Sequence, residues 1–116
     1  MQNSTKKKIE ELLSYPRGMQ MPNWEIEKSA DLALLVKSGL VSFIMKISPT
    51  GLCTVNYPSF AKALIKDGRL AREKAMQWLR HDGCTEPLSV IKRMVDSGLI
   101  SLSTENGLEF VLNDLI

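Results

Sequence analysis

The sequence predicts an α+β protein made of two similar units in tandem, each a few helices followed by a two-stranded antiparallel hairpin. Three observations carry that expectation. The stretch TEPLSVIKRMVDSGLISLSTENGLEFVL at 85–112 reads as a capped helix, a glycine stop and a hairpin. VKSGLVSF at 36–43 matches VDSGLISL at 95–102 position by position, with Lys37 against Asp96 as the only non-conservative change. In both halves a second alternating run then follows a turn that ends in glycine, Gly51-Leu52 and Gly107-Leu108.

The 85–112 stretch is the clearest. Thr85 is the expected N-cap, with Glu86 and Pro87 in a first turn where acid and proline are both favoured. Leu88, Ile91, Met94 and Val95 recur at helical spacing, and Gly98 stands where a left-handed residue ends a helix. Ile100 and Leu102 alternate with Ser101 and Ser103; after Glu105-Asn106-Gly107 the apolar face resumes with Leu108, Phe110 and Leu112. Only an odd-length turn puts both apolar sets on one face, because a one-residue slip would flip a strand. A three-residue loop closing on left-handed Gly107 meets that requirement.

From the N-terminus, Asn3 or Ser4 caps a first helix running to about Ser14, with Ile9, Leu12 and Leu13 on its buried side and Pro16 and Gly18 ending it. Lys6, Lys7 and Lys8 lie in its first turn, against the helix dipole. Around Pro22-Asn23-Trp24 the expectation is a short, irregular helix, with Met19, Met21 and Trp24 as a small exposed contact patch. A helix over 29–38 is apolar nearly all round, so it should be buried on more than one side. After Gly39 the alternation Val41, Phe43, Met45, Ile47 and then Cys53, Val55, Tyr57 makes the first hairpin, its three-residue turn closing on Gly51. In the second half Ser59 caps a helix to Asp67 that buries Phe60, Leu64 and Ile65, and Gly68 stops it. A helix over 71–82 buries Ala75, Met76, Leu79 and Trp78 and turns Arg72, Lys74, Gln77 and Arg80 outward. Met76 and Met94 on helices and Met45 on a strand read as core filling.

A chain of 116 residues suits one compact body or two very small units sharing a core. At 44% hydrophobic and 24% charged it has the balance of a folded protein rather than a disordered tail. It holds no apolar run of the roughly 20 residues a membrane helix needs. The lysines at 6–8 run into Ile9-Glu10-Glu11 rather than a signal-peptide apolar region, so a cytoplasmic protein is expected. Cys53 and Cys84, in a strand and a turn, do not suggest a disulfide.

No catalytic constellation stands out. His81 is the single histidine, with Asp82 beside it and Cys84 three residues on, at a helix end where histidine is favoured for other reasons. Two cysteines and one histidine split between the halves do not supply a zinc site. The seven glycines sit singly at stops and turns, so there is no phosphate loop. No enzyme activity, metal or cofactor is expected.

Charge is informative in its distribution. The net value of +2 is too small to argue for nucleic acid by itself. From Lys62 to Arg80, however, six basic residues face two acidic ones, whereas from Glu86 onward two basic residues face five acidic ones.

Helix, helix, tight glycine turn, helix and hairpin is the helix-turn-helix order with a wing. In that order the second half, 58–116, resembles the winged-helix superfamily, and 1–57 resembles a truncated unit of the same kind with a short or missing middle helix. The resemblance implies a small DNA-binding regulator in which the helix 85–97 enters the major groove. Ser89, Lys92 and Arg93 are then the outward readers, Arg93 toward guanine and Lys92 toward phosphate, while Arg72, Lys74 and Arg80 on the preceding helix add backbone contacts. The first unit would serve dimerisation or support. The acidic wing, with Glu105 and Glu109, fits DNA poorly and keeps a second expectation open. That is a non-catalytic protein-interaction module, an adaptor or inhibitor of the kind a phage or mobile element encodes.

Overall fold

The fold is α+β, as expected, and the same six elements occur twice in the same order. The structure is a computed structural model describing residues 4–47, 50–105 and 107–113, without the side chains of 43–47. The first unit contains α1 (Ser4–Leu13), β1 (Met19–Pro22), α2 (Asn23–Lys28), α3 (Ala30–Ser38), β2 (Val41–Ile47) and β3 (Thr50–Val55). The second contains α4 (Pro58–Asp67), β4 (Arg69–Ala71), α5 (Arg72–His81), α6 (Pro87–Ser97), β5 (Ile100–Ser103) and β6 (Glu109–Leu112).

Each unit folds its three strands into an antiparallel sheet with the last strand in the centre, in the orders β1-β3-β2 and β4-β6-β5. The short strands β1 and β4 are additions to the sequence expectation. Each is only three or four residues of edge strand between two helices, too short for strand alternation to register. The first unit is not missing its middle helix: α2 is present, as six residues after Pro22.

The repeated Ser-Gly-Leu builds the same device in both units. Gly39 (φ 84°) and Gly98 (φ 89°) end α3 and α6 in the left-handed region. In one unit Ser38 Oγ donates to the Leu35 carbonyl (2.8 Å) and accepts from the Leu40 N–H (3.2 Å). In the other, Ser97 Oγ donates to the Met94 carbonyl (2.8 Å) and accepts from the Leu99 N–H (3.4 Å). An asparagine just past the last strand then reaches back to the stop glycine. Asn56 Nδ2 donates to the Gly39 carbonyl (2.8 Å) and Asn113 Nδ2 to the Gly98 carbonyl (2.8 Å). Each asparagine also accepts from the hairpin's first serine, Ser42 (2.8 Å) or Ser101 (2.9 Å). Leu40 and Leu99, following the glycines, are fully buried.

Several local expectations are corrected. Helix α6 starts at Pro87, whose fixed φ suits the first helical position, with Glu86 rather than Thr85 at the cap position and no side-chain cap bond. Ser59 does not cap α4 either. Its N–H and that of Phe60 are taken by the Asp82 carboxylate at the end of α5 (3.2 and 3.0 Å). Ser4 lies inside α1, and the cap position before it falls outside the described residues.

The first hairpin does not turn on Gly51. That residue lies in the central strand opposite Lys46 and Met21, and pairing continues outward to Ile47 opposite Thr50. Residues 48 and 49 lie outside the described residues. A register shift between Phe43 and Met45 supplies the odd residue that the parity argument required. The expected inward faces of Phe43, Met45 and Ile47 likewise lie outside the described side chains. In the second hairpin Ser103 pairs with Glu109, leaving a five-residue loop with Gly107 left-handed (φ 89°) rather than a three-residue one.

One hydrophobic cluster runs through both units. Ile9, Leu12, Leu32 and Leu35 join Phe60, Leu64, Leu79, Met94 and Leu99, all at most 2% exposed. The units meet through equivalent helices, α1 on α4 and α3 on α6, which is the pattern of a two-fold related pair. Met21 is buried and Met19 half-buried, so the expected Met19–Met21–Trp24 patch reduces to Trp24, 63% exposed.

Gly98 isolates the cost of a left-handed stop, since a Cβ there would meet nothing within 4 Å. Gly98→Val should lower stability by about 1–2 kcal/mol through backbone strain alone. Equal urea midpoints for the variant and the wild-type chain would contradict this.

Candidate nucleic-acid interface

The structure divides the expected DNA readers between two places. Ser89, Lys92 and Arg93 lie on α6, but only the first two face solvent without a tertiary task. Ser89 borders a shallow hollow of about 300 Å³ between Tyr57 and the α5–α6 turn. Lys92 pairs with Asp96 one turn on (Nζ–Oδ2 3.0 Å), a surface pair of small energetic weight.

Arg93 belongs to the contact between the units. Its Nε donates to the Lys37 carbonyl (3.0 Å) and its Nη2 to the Val36 carbonyl (3.4 Å), and its guanidinium lies against Gly39. These carbonyls end α3, where the helix dipole is negative and the last acceptors lack partners within the helix. Arg93 is thus a clamp across the two repeats: Nε and Nη2, two of the nitrogens expected to read guanine, are engaged with α3, although the side chain stays exposed. The repeat offset puts Leu34 at the equivalent place in the first unit, so the clamp exists on one side only.

The same junction holds Tyr57. Burial raises its hydroxyl above the ordinary tyrosine value, the neighbouring Cys84 adds to the rise, and Arg93 opposes it. Burial likewise raises the Cys53 thiol, with Lys8 opposing. Cys53 and Cys84 are both free thiols.

Arg72, Lys74 and Arg80 are exposed along α5 and make no ion pair among the described residues. Lys74 is one wall of an open groove of about 490 Å³ between α4, β4 and α5. Lys62 and Lys66, one turn apart on α4, form the facing wall, and Arg69 closes the end of the groove from β4. Its floor is apolar, supplied by Ala63, Leu70 and Trp78. Two carboxylates moderate the charge: Asp67 lines the groove, and Glu109 pairs with Arg69 (3.4 Å).

Trp78 is the residue that sequence reasoning misplaced. It is 37% exposed rather than buried, because α5 turns Ala75 and Leu79 to the core and leaves position 78 at the groove. Its ring stands against His81 with centroids 5.6 Å apart and planes at 74°, an edge-on contact. A signal was present in the chain: Lys62 with Lys66 and Lys74 with Trp78 are both i, i+4 pairs. That these two pairs face each other depends on how α4 and α5 pack.

The outer face of α6 is more apolar than a phosphate-reading helix requires. Leu88 is 60% exposed and Val95, two turns on, is 36% exposed. Among the described residues, no group of three or more histidine, cysteine, aspartate or glutamate side chains is placed to hold a metal. None of their helices is long and apolar enough to cross a membrane. No protein-family model, curated protein or solved structure matches the chain.

Two outcomes follow from this geometry. Arg93→Ala should cost about 1–2 kcal/mol, from two charge-assisted bonds at a helix end, and Lys92→Ala no more than about 0.5 kcal/mol. Urea titration of both variants checks the difference, and a smaller loss for Arg93→Ala than for Lys92→Ala would remove the clamp. The raised Cys53 and Tyr57 values mean the unfolded chain releases these protons first. Stability should therefore be insensitive to them near neutrality and fall as pH rises through and beyond the ordinary thiol range. Urea midpoints at about pH 7.5 and 9.5 test this, with Cys53→Ala showing a shallower decline.

Proposed function

We propose that the protein is a small, non-catalytic DNA-binding regulator built from two winged-helix-like units, and that it holds the DNA backbone chiefly through the basic face of α4, β4 and α5. The observation that carries this is the exposure of Lys62, Lys66, Arg69, Arg72, Lys74 and Arg80 on three consecutive elements of one unit. Such a surface attracts phosphates and releases condensed counterions on binding. The order of helices and strands in each unit supports the winged-helix reading, with the second hairpin as wing. In this arrangement α6 contributes Ser89 and Lys92 at the edge of the contact, and base reading by Arg93 is dropped in favour of its clamp.

A second reading is favoured by one specific feature. Leu88 and Val95 on α6, with Leu102 and Leu108 on the second hairpin at 52% and 51% exposure, form an unusual display of large apolar side chains. A protein partner contacting α6 and the hairpin would cover them.

The test is a titration of labelled random duplex at two salt concentrations. Wild-type affinity should fall steeply with salt. Arg72→Ala with Lys74→Ala should weaken binding on all sequences and flatten the salt slope by about one unit per lost phosphate contact. Both side chains are exposed, so the double variant should keep the wild-type urea midpoint. Absence of wild-type binding at low salt would reject the duplex-DNA reading.

A further inference from the structure

We infer that the α4–α5 groove is a binding site for a single-stranded nucleic-acid segment, one unpaired base lying against Trp78 with its flanking phosphates on Lys62, Lys66 and Lys74. The inference rests on the nucleic-acid reading above and deepens it by naming the strand state that the groove takes.

Shape and charge both point this way. The groove is open to solvent and offers about 490 Å³, ample for a nucleobase. A duplex keeps its bases stacked inside, so it can touch the rim lysines but offers nothing to the apolar floor. An extruded or unpaired base does both: its flat face covers the indole and the floor at Leu70 and Ala63, while its phosphates stay outside at the amines. Trp78 is 37% exposed and lines the groove beside the lysines, so its indole is accessible to a ligand lying there. Its ring also meets His81 edge-on, with centroids 5.6 Å apart.

The cations are placed for the backbone and not for the base. Lys62 and Lys66 stand one helical turn apart on one wall and Lys74 on the other, so phosphates on either side of the stacked nucleotide each meet an amine. Arg69, occupied by Glu109, closes the end of the groove and contributes less. A run of acidic side chains alone would satisfy the amines yet leave the indole uncovered, whereas a nucleotide carries the flat ring and the anion in one unit.

The experiment is fluorescence anisotropy with the full chain and four labelled probes: oligothymidylate, oligouridylate, a random duplex of equal length, and a polyglutamate peptide. Wild type should bind the single strands. Trp78→Ala should weaken oligothymidylate binding by roughly tenfold or more, the scale of one lost base stack, while duplex binding changes by less than about twofold. Trp78→Phe should recover most of the loss, which simple misfolding would not allow, and thermal melting of each variant checks the fold. Lys62→Ala with Lys66→Ala should weaken single-strand binding and flatten its salt slope. Equal binding of oligothymidylate and oligouridylate means the site reads base and phosphate only; a preference assigns it to DNA or to RNA.

Duplex binding without single-strand binding would overturn the inference and leave the proposed function standing. Single-strand binding that depends on Trp78, without duplex binding, would support the inference and remove the duplex reading. Equal losses on duplex and single strand for Trp78→Ala, or tighter binding of polyglutamate than of either oligonucleotide, would overturn the inference.

Discussion

Everything in this structure depends on the two repeats burying each other. A unit of about 55 residues is near the lower limit at which a single core sustains a fold. Each sheet here is only three short strands. The solution is to merge the cores: α1 meets α4 and α3 meets α6, so Ile9, Leu12 and Leu35 share a cluster with Phe60, Leu64 and Met94. The arrangement has the character of a dimer interface made within one chain. It also commits the inner faces of α3 and α6, and so determines which side chains remain for function.

Arg93 illustrates the consequence. In isolation α6 presents it as an outward cation, one of two on the helix. Once α3 lies alongside, its guanidinium donates to the Lys37 and Val36 carbonyls at the end of α3. The equivalent Leu34 cannot do the same for α6, so the repeats have diverged where they touch. Functional capacity moves with that divergence, to the second unit's other helices. The facing α4 and α5 carry lysines and a tryptophan, whereas the first unit has only the short α2 in the corresponding place.

The groove and the hairpin are linked by charge. Glu109 on β6 pairs with Arg69 on β4, joining the acidic hairpin to the basic face across neighbouring strands. The acidity of the last third of the chain thus partly restrains the basic middle third. The cations that make no ion pair among the described residues, Lys62, Lys66, Lys74, Arg72 and Arg80, are concentrated on two helices and open to solvent.

By itself the sequence determined the fold class, the positions of both glycine stops and the existence of two hairpins. These follow from local rules: a left-handed residue ends a helix, and strand parity demands an odd connection. It also carried the repeat, whose Ser-Gly-Leu is now seen to make the same hydrogen bonds twice. It did not reveal β1 or β4, whose three or four residues become strands only because a central strand lies beside them. Nor did it place the odd residue of the first hairpin, which entered as a bulge near Phe43 rather than in the turn, since either satisfies parity. Tertiary structure alone decided that Arg93 clamps α3 and that Trp78 faces a basic groove. Periodicity states which residues share a helix face; what that face meets depends on distant segments, and the energy of each contact exists only once both have arrived.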